Sequence, residues 1–566
     1  MDTGMATVTG MVTAMVLHMV QTVLERDRRG GAAEVDHWRV PASPNDRGSL
    51  GRGSNGRRRA GLGALLAVFL GATLIPAQAA NWKITPSIAV QETLTDNVFL
   101  SSSSNKTGDL VTGITPGITI DGQGSRAKLR LGYSYTENLY LRETSQRNGQ
   151  NSLNAIGTLE AFEDHLFIDA SGTISQQYLS AFGAVSPSTA NVDRNRTETS
   201  SYSLSPYLKG RLLGWVDYLL RYRATTTSSK SSPASNLDSR EWSGRLGGTT
   251  RWSHITWALD ASQLTNDYSV GRDSQASNYS IYLSYRFDPQ FQVSLIGGRE
   301  SNDYVSLDQQ TTYTRGVGFD WTPSLRTQLK ATVRNRFFGT GYDVNFRHRR
   351  PRSLVTFRAS KDVSLQPRGV GNTSQGTNYD AFYSIIAASD PTLTPDAINE
   401  QVTQLLLDRG IPADGAVVNG YLTDRPQVQE LQQLTAALMG ARNTVTFIAT
   451  RSEQQGLSLP EQQGLSLLNG LTNNYALPGR ILQRGYGIVW AHRLTGLSSL
   501  SLSLNQQRSS TYIATSPETT TSGAYLLFST RLSPKTNINV GARRVISSGV
   551  TSYTESALTG AIFHRF

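Results

Sequence analysis

Arginine and lysine residues recur at alternate positions of short segments whose other positions are largely apolar. Cationic groups that share one low-dielectric wall concentrate anions, and rings of Arg and Lys select anions in pores. Because fewer carboxylates alternate in this way, we predict a surface that binds anions; the alternative is a wall of balanced ion pairs. The predicted cations are Lys128, Arg130, Arg221, Arg223, Arg245, Arg251, Arg286, Lys330, Arg334 and Arg336.

A second basic cluster comprises Arg347, Arg349, Arg350 and Arg352. The rhythm of long and short connections places this cluster in a long external loop. We expect these side chains to contact lipopolysaccharide phosphate or polymer carboxylate, since guanidinium groups bind both in a bidentate manner. The alternative is a solvated loop without a ligand.

Catalytic and metal-binding motifs are not found. The sequence contains no P-loop, no H-E-x-x-H pair, no nucleophile elbow and no cysteine. His492 and His564 are the candidates for a hydrolase site at a barrel rim, but separate solvated histidines fit their spacing better. We therefore predict no enzymatic activity, no cofactor and no metal site.

Alternation of apolar and polar residues defines the elements that carry these cations. Tyr279, Ile281, Leu283 and Tyr285 share one face, and polar residues fill most of the other. Such segments span about 9–13 residues, which is the length that a tilted strand needs to cross a bilayer. Short turns alternate with long Ser/Thr/Asn/Gly-rich connections, a pattern typical of outer-membrane barrels with short periplasmic turns and long extracellular loops.

The pattern predicts an all-β chain that forms a single large antiparallel transmembrane β-barrel. About 21 strands are visible, and because both termini should be periplasmic the number should be even. We expect about 22, within a range of 18–24, with the missed strand somewhere in 361–425. Phe566, at the end of a strand with alternating apolar residues, is typical of the signal that closes such a barrel and is recognised by the assembly machinery.

The N-terminal region has the features of a targeting segment. Arg57–Arg59 precede an apolar stretch at 61–75 and a small-x-small cleavage site at 77–79. We assign 57–80 to a signal peptide, 81–566 to the barrel, and 1–56 to a non-structural leader or to a start site placed too early. The alternative for 1–56 is a genuine long leader.

One inserted segment, 361–425, interrupts the strand pattern with a helical signal. Thr394 is a candidate N-cap, Pro395 follows it, and Gly410 lies just beyond the end. We predict a short helix that folds over the barrel rim; the alternative is a helix that enters the lumen.

Composition limits the partners. Hydrophobic residues make up 38% of the chain, with no spanning apolar run in the mature part, and the net charge of +11 is spread over 566 residues. That mild excess does not indicate nucleic-acid binding. We expect contact with outer-membrane lipid and lipopolysaccharide and with the barrel-assembly machinery.

Several strand-end phrases resemble those of the outer-membrane β-barrel family that is associated with the PEP-CTERM system. The resemblance covers about 81–566 and implies an origin in loci for exopolysaccharide production and protein sorting. The phrases are QETLTDNV at 91–98, ITPGI at 114–118, GRESND at 298–303, WTPSLRT at 321–327 and RNRFFG at 334–339.

Together, the lumen cations and the resemblance favour a conduit for exopolysaccharide or another anionic solute in the outer membrane of a Gram-negative bacterium, with periplasmic export components as further partners. One alternative is a structural or docking barrel of an export or sorting system that does not conduct. Another is a hydrolase with its site at the rim.

Overall fold

A computed structural model describes residues 81–146, 148–230, 236–269, 272–364, 426–457, 480–511 and 518–566. In these ranges no helix is long and apolar enough to cross a membrane. The expected leader and signal peptide, and the expected helix near 394–410, lie outside the described residues.

The described residues form one closed antiparallel sheet of 22 strands, as predicted. Each strand pairs with the next in the chain, and β1 pairs with β22 to close the barrel. The strands are β1 (Asn81–Thr95), β2 (Asp109–Gln123), β3 (Ala127–Tyr140), β4 (Asn148–Phe162), β5 (Leu166–Tyr178), β6 (Arg196–Leu212), β7 (Val216–Ser229), β8 (Leu237–Thr249), β9 (Ile255–Tyr268), β10 (Ser274–Asp288), β11 (Phe291–Asn302), β12 (Gln310–Ser324), β13 (Thr327–Arg336), β14 (Gly339–Arg350), β15 (Ser353–Ser364), β16 (Gln427–Met439), β17 (Asn443–Gly456), β18 (Arg480–Arg493), β19 (Ser498–Thr511), β20 (Glu518–Ser533), β21 (Thr536–Gly549) and β22 (Tyr553–Arg565).

The outer wall carries an apolar belt because every second side chain of a strand points outward. Leu220, Ile281 and Leu295 are examples of exposed apolar residues on this belt. Aromatic residues flank it at both ends, with Tyr313 on one side and Trp321 on the other. An apolar belt between two aromatic girdles is the construction of outer-membrane barrels, so the chain is an outer-membrane β-barrel of a Gram-negative bacterium.

Turn length distinguishes the two ends of the barrel, with short turns at the periplasmic end and longer loops at the external end. The β13–β14 connection is an exception, since only Phe337 and Phe338 join the two strands at the external end. Gly339 follows with φ of 98°, a left-handed conformation that glycine adopts without strain. This tight turn concealed the strand that the sequence analysis missed.

The prediction that the missed strand lies in 361–425 is therefore wrong. The strand is part of the hairpin β13–β14 rather than of the predicted insertion at 361–425. β15 extends to Ser364 and pairs directly with β16, so residues 361–364 are barrel strand. The rest of the predicted insertion lies outside the described residues.

Candidate functional site in the barrel lumen

The external loop between β5 and β6, residues 179–195, folds into the barrel; we call it the lumenal loop. Its backbone carbonyls accept hydrogen bonds from inward-facing side chains on distant strands. The Tyr553 hydroxyl donates to the Val185 carbonyl over 2.6 Å, and the Asn138 amide donates to the Thr189 carbonyl over 2.9 Å. These contacts fix the loop against the inner wall on both sides of the β1–β22 closure.

A buried ion pair anchors the centre of the lumenal loop. Arg543 Nη2 lies 2.7 Å from Glu555 Oε1, and the Glu555 side chain is fully buried. Asn191 of the loop donates to Glu555 Oε1 over 3.0 Å and accepts from Arg543 over 3.2 Å. Thr95 also donates to the same carboxylate oxygen over 2.9 Å. Because buried charges are stable only when they are paired and hydrogen-bonded, this network specifies one position of Asn191.

Apolar contacts complete the docking of the loop. Phe182 is only 1% exposed and packs with Ala181 against Ile481 of β18. Ala190 packs with Tyr140 and with Val98 of the β1–β2 loop. Apolar side chains that point into a polar barrel interior are buried in this way only if another segment covers them.

Asp193 is an unusual group within the lumenal loop. Burial raises the pKa of its carboxyl group, and the positive charge of Arg196 opposes that effect. One carboxylate oxygen accepts the Asn195 backbone N–H over 2.8 Å, while the other is buried without a hydrogen-bond partner. Docking of the loop therefore shifts this carboxyl toward its neutral form relative to an exposed aspartate.

Most of the predicted lumen cations face inward, and many of them are paired. Their partners lie on the adjacent strand or on the next one beyond it, so these six cations follow the ion-paired alternative. The pairs are Arg130–Asp121, Arg221–Asp169, Arg223–Glu241, Arg245–Asp260, Lys330–Asp320 and Arg336 with Glu300 and Asp362.

The remaining predicted cations differ from that pattern. Lys128, Arg286 and Arg334 face inward and make no side-chain hydrogen bond or ion pair with other described residues. The prediction that Arg251 lies on the polar face of a strand is wrong. Arg251 lies in the periplasmic turn between β8 and β9, because β8 ends at Thr249.

Charge is distributed unevenly along the barrel axis. In the periplasmic half of the inner wall, a region that we call the vestibule, cations clearly outnumber carboxylates among the described strand residues. Strand alternation and register place these cations inward: Lys83, Lys128, Arg130, Lys209, Arg211, Arg221, Arg245, Arg286, Lys330, Arg347, Arg349, Arg358, Arg493, Arg531 and Arg565. The carboxylates are Asp121, Glu160, Asp169, Asp217, Asp260, Asp288 and Asp320.

The external half of the wall has the opposite balance. Its inward strand carboxylates among the described residues are Asp109, Glu241, Glu300, Asp343, Asp362 and Glu555, and its inward cations are Arg223, Arg334, Arg336 and Arg543. An anion would therefore be attracted to the periplasmic entrance more strongly than to the external one.

An aromatic cluster in the vestibule was not predicted. Phe167 and Tyr207 stack with ring centroids 5.2 Å apart. Lys209 lies 4.1 Å above the Phe167 ring, and the Arg221 guanidinium lies 4.2 Å above the Tyr207 ring. Inward aromatics on otherwise polar strand faces were the signal that could have identified it.

The predicted external basic cluster lies at the opposite end of the barrel. β14 runs from the external turn at 337–338 to the periplasmic turn at 351–352, so Arg347, Arg349, Arg350 and Arg352 are periplasmic. The prediction that this cluster contacts lipopolysaccharide of the outer leaflet is therefore wrong. Arg347 faces the lumen and donates to Gln328 over 3.0 Å.

The two histidines considered for hydrolysis lie apart on the outer wall near the periplasmic end. His492 contacts the Asn443 side chain at 2.8 Å and stacks on Trp490. His564 contacts the Thr536 hydroxyl at 2.9 Å and lies against Phe566. In the part of the chain that the structure describes, no group of three or more His, Asp or Glu residues could hold a metal ion.

No family model and no curated protein matches the sequence. Solved structures with a similar overall fold include the siderophore receptor PirA from Acinetobacter baumannii, at 9% identity and a TM-score of 0.48, over 86% of this chain and 81% of that one. They also include a mutant of the ferric enterobactin receptor PfeA from Pseudomonas aeruginosa, at 8% identity and a TM-score of 0.47, over 86% of this chain and 81% of that one. The FrpB iron transporter from Neisseria meningitidis (F5-1 variant, apoprotein) matches at 8% identity and a TM-score of 0.46, over 85% of this chain and 81% of that one. Similarity at this level says nothing about what the present chain binds.

Proposed function

We propose that this barrel is a conduit through which exopolysaccharide, or another anionic solute, leaves the periplasm. The observation that carries the proposal is the excess of inward cations in the vestibule. Such a field raises the local concentration of an acidic polymer at the periplasmic entrance. The resemblance of the strand-end phrases to a family from exopolysaccharide loci supports the choice of polymer.

The Phe167–Tyr207 cluster fits an acidic sugar chain. Flat aromatic rings offer apolar contact, and the adjacent Lys209 supplies positive charge for a carboxylate, whereas Arg221 is already paired with Asp169. The many paired cations do not remove this effect, since Lys128 and Arg286 keep an unpaired charge near the entrance.

The test is ion selectivity in planar bilayers, measured from reversal potentials in a salt gradient. The purified chain should prefer anions, and Lys128→Glu combined with Arg286→Glu should reduce that preference. Arg299→Glu combined with Arg315→Glu is the matched control, because these residues face outward yet change the charge equally. Equal effects of both pairs would contradict a selective vestibule.

A polymer probe tests the substrate class. Short uronic acid oligomers added to the periplasmic side should interrupt the current at lower concentration than when added to the external side. Equal block from both sides, or no block, would count against export of an acidic polymer.

A non-conducting docking barrel is the second candidate function, and the docked lumenal loop favours it. The absence of current from the wild type and from a variant whose lumenal loop has been replaced would support docking. Co-purifying periplasmic export components would then identify the role.

A further inference from the structure

A groove of about 440 Å³ crosses the outer wall over β17–β21. Its walls include Phe447, Tyr486 and Leu504, and its floor passes over Ser522 and Ala524 of β20. The groove exists because the outward residues of β20 at this level are small while those of the flanking strands are large. It faces the membrane, so its apolar walls suit a hydrocarbon chain.

Arginine residues border this groove on its external side. Arg451, Arg484 and Arg508 are direct register partners on β17, β18 and β19, and all three face outward. Arg544 of β21 lines the groove itself. Arginine guanidinium groups bind phosphate oxygens in a bidentate manner.

Two of these arginines are available to a ligand. Arg451 is paired with Glu453 at 3.0 Å, and Arg508 is paired with Glu518 at 2.8 Å. Arg484 and Arg544 are exposed and make no side-chain hydrogen bond or ion pair with the other residues that the structure describes. The arrangement therefore leaves two cations free beside an apolar groove.

The position along the strands indicates which leaflet is involved. Outward-facing cations on the described strands collect near the external ends: Arg240, Arg299, Arg315, Lys361, Arg451, Arg480, Arg484, Arg508 and Arg544. Arg350 is the exception at the periplasmic end. Arg484 lies one outward position beyond Tyr486 of the external aromatic girdle, which is the level of lipid headgroups.

The strands that follow across the β1–β22 closure lack this chemistry. The described outward faces of β1–β5 carry Glu92 and Glu137 near the external end and no Lys or Arg. A lipid that bound through non-specific attraction to the barrel would have no reason to prefer β17–β21.

We infer that a phosphorylated glycolipid of the outer leaflet, of the lipopolysaccharide class, binds at this place. Its phosphates are held by Arg484 and Arg544, with Arg508 beside them, and one acyl chain lies in the groove. The site does not depend on conduction through the lumen, so it stands or falls separately from the proposed function.

The experiment is native mass spectrometry of the purified full chain after incubation with defined lipopolysaccharide in mild detergent. Arg484→Ala combined with Arg544→Ala should weaken binding about tenfold or more, since hydrogen bonds to charged groups are among the stronger ones. Arg299→Ala combined with Arg315→Ala is the control, because these outward arginines also lie toward the external ends of their strands, β11 and β12, and away from the groove over β17–β21. Both variants should keep heat-modifiable migration in gels, which reports a folded barrel.

A groove variant tests the acyl contact independently. Ala524→Trp fills the floor from the lipid-facing side and should reduce lipopolysaccharide binding while all arginines remain. The inference is overturned if the control pair loses as much lipid as the test pair, or if Ala524→Trp binds normally. It is also overturned if phosphatidylglycerol binds as tightly as lipopolysaccharide.

Discussion

The buried carboxylate of Glu555 holds three segments of the chain together inside the barrel. It joins Arg543 of β21, Thr95 of β1 and Asn191 of the lumenal loop. Nothing in its sequence neighbourhood marks it, because alternation predicts only that it faces inward. Its role arises from three segments that are far apart in the chain.

Removal of this carboxylate should release the lumenal loop. Glu555→Ala leaves Arg543 buried without its partner, and breaking a buried pair costs about 3–5 kcal/mol. Urea unfolding in lipid vesicles, with limited proteolysis of the loop, should show this loss. Asp121→Ala is the control, since the exposed Arg130–Asp121 pair should contribute about 0–1 kcal/mol. Equal losses in the two variants would contradict an anchoring role.

We expect Asp193 to make the docking of the loop sensitive to pH. Because burial raises the pKa of its carboxyl in the docked state, docking is favoured at acidic pH and weakens as the pH rises through that raised value. A single cysteine at Ala181, in a chain that otherwise has none, reports undocking through thiol labelling. At each pH, the labelling rate of this protein is divided by the rate of the same protein carrying Asp193→Asn. This ratio should increase from acidic to neutral pH. A constant ratio would show that Asp193 does not control docking.

The strands and the loops differ in how far the sequence predicts them. Alternation predicts strands because their outward and inward faces meet different solvents, and the predicted number of about 22 strands is confirmed. The β13–β14 hairpin escaped notice because its external turn has only two residues. That error in phase also placed Arg347 and Arg349 at the wrong end of the barrel.

The lumenal loop could not be predicted as an inner element, because its Ser, Thr and Asn residues resemble those of any exposed loop. The signal that was present is the apolar pair Ala181–Phe182, together with Val185. Its partners, including Ile481 and Tyr553, lie about 300 residues or more further along the chain. Local patterns carry no information about such distant contacts.

Replacement of the lumenal loop should widen the conducting path. A Gly-Ser linker in place of 184–190 removes the contacts to Tyr553 and Tyr140 while the ends near β5 and β6 remain. Single-channel conductance should rise compared with the wild type. Replacement of the exposed residues 307–308 between β11 and β12 is the control and should leave conductance unchanged. An unchanged conductance in the 184–190 variant would mean that the loop does not limit flow.

At the scale of the whole molecule, the barrel has two independent electrostatic asymmetries. The inner wall is basic toward the periplasm, and the outer wall is basic toward the external leaflet. The first favours entry of anions from the periplasm, and the second favours phosphorylated lipid at one side of the outer wall. The two can differ because adjacent residues of one strand face the lumen and the lipid in turn.

Phe566 adds one hydrogen bond to the closure of the barrel. The Phe566 backbone N–H donates to the Pro86 carbonyl over 3.0 Å, beyond the β1–β22 ladder, and its ring lies against His564 on the outer wall. We expect Phe566→Ala to lower the amount of heat-modifiable barrel in outer membranes several-fold, because the terminal aromatic residue is the expected assembly signal. Refolding of the purified variant into vesicles should change little, since one exposed ring contributes little to the stability of a 22-strand barrel. Phe563→Ala is the matched control, an inward aromatic three residues earlier that lies under Arg565. Equal loss of assembly in both variants would show that general packing at the chain end, and not the terminal position, determines insertion.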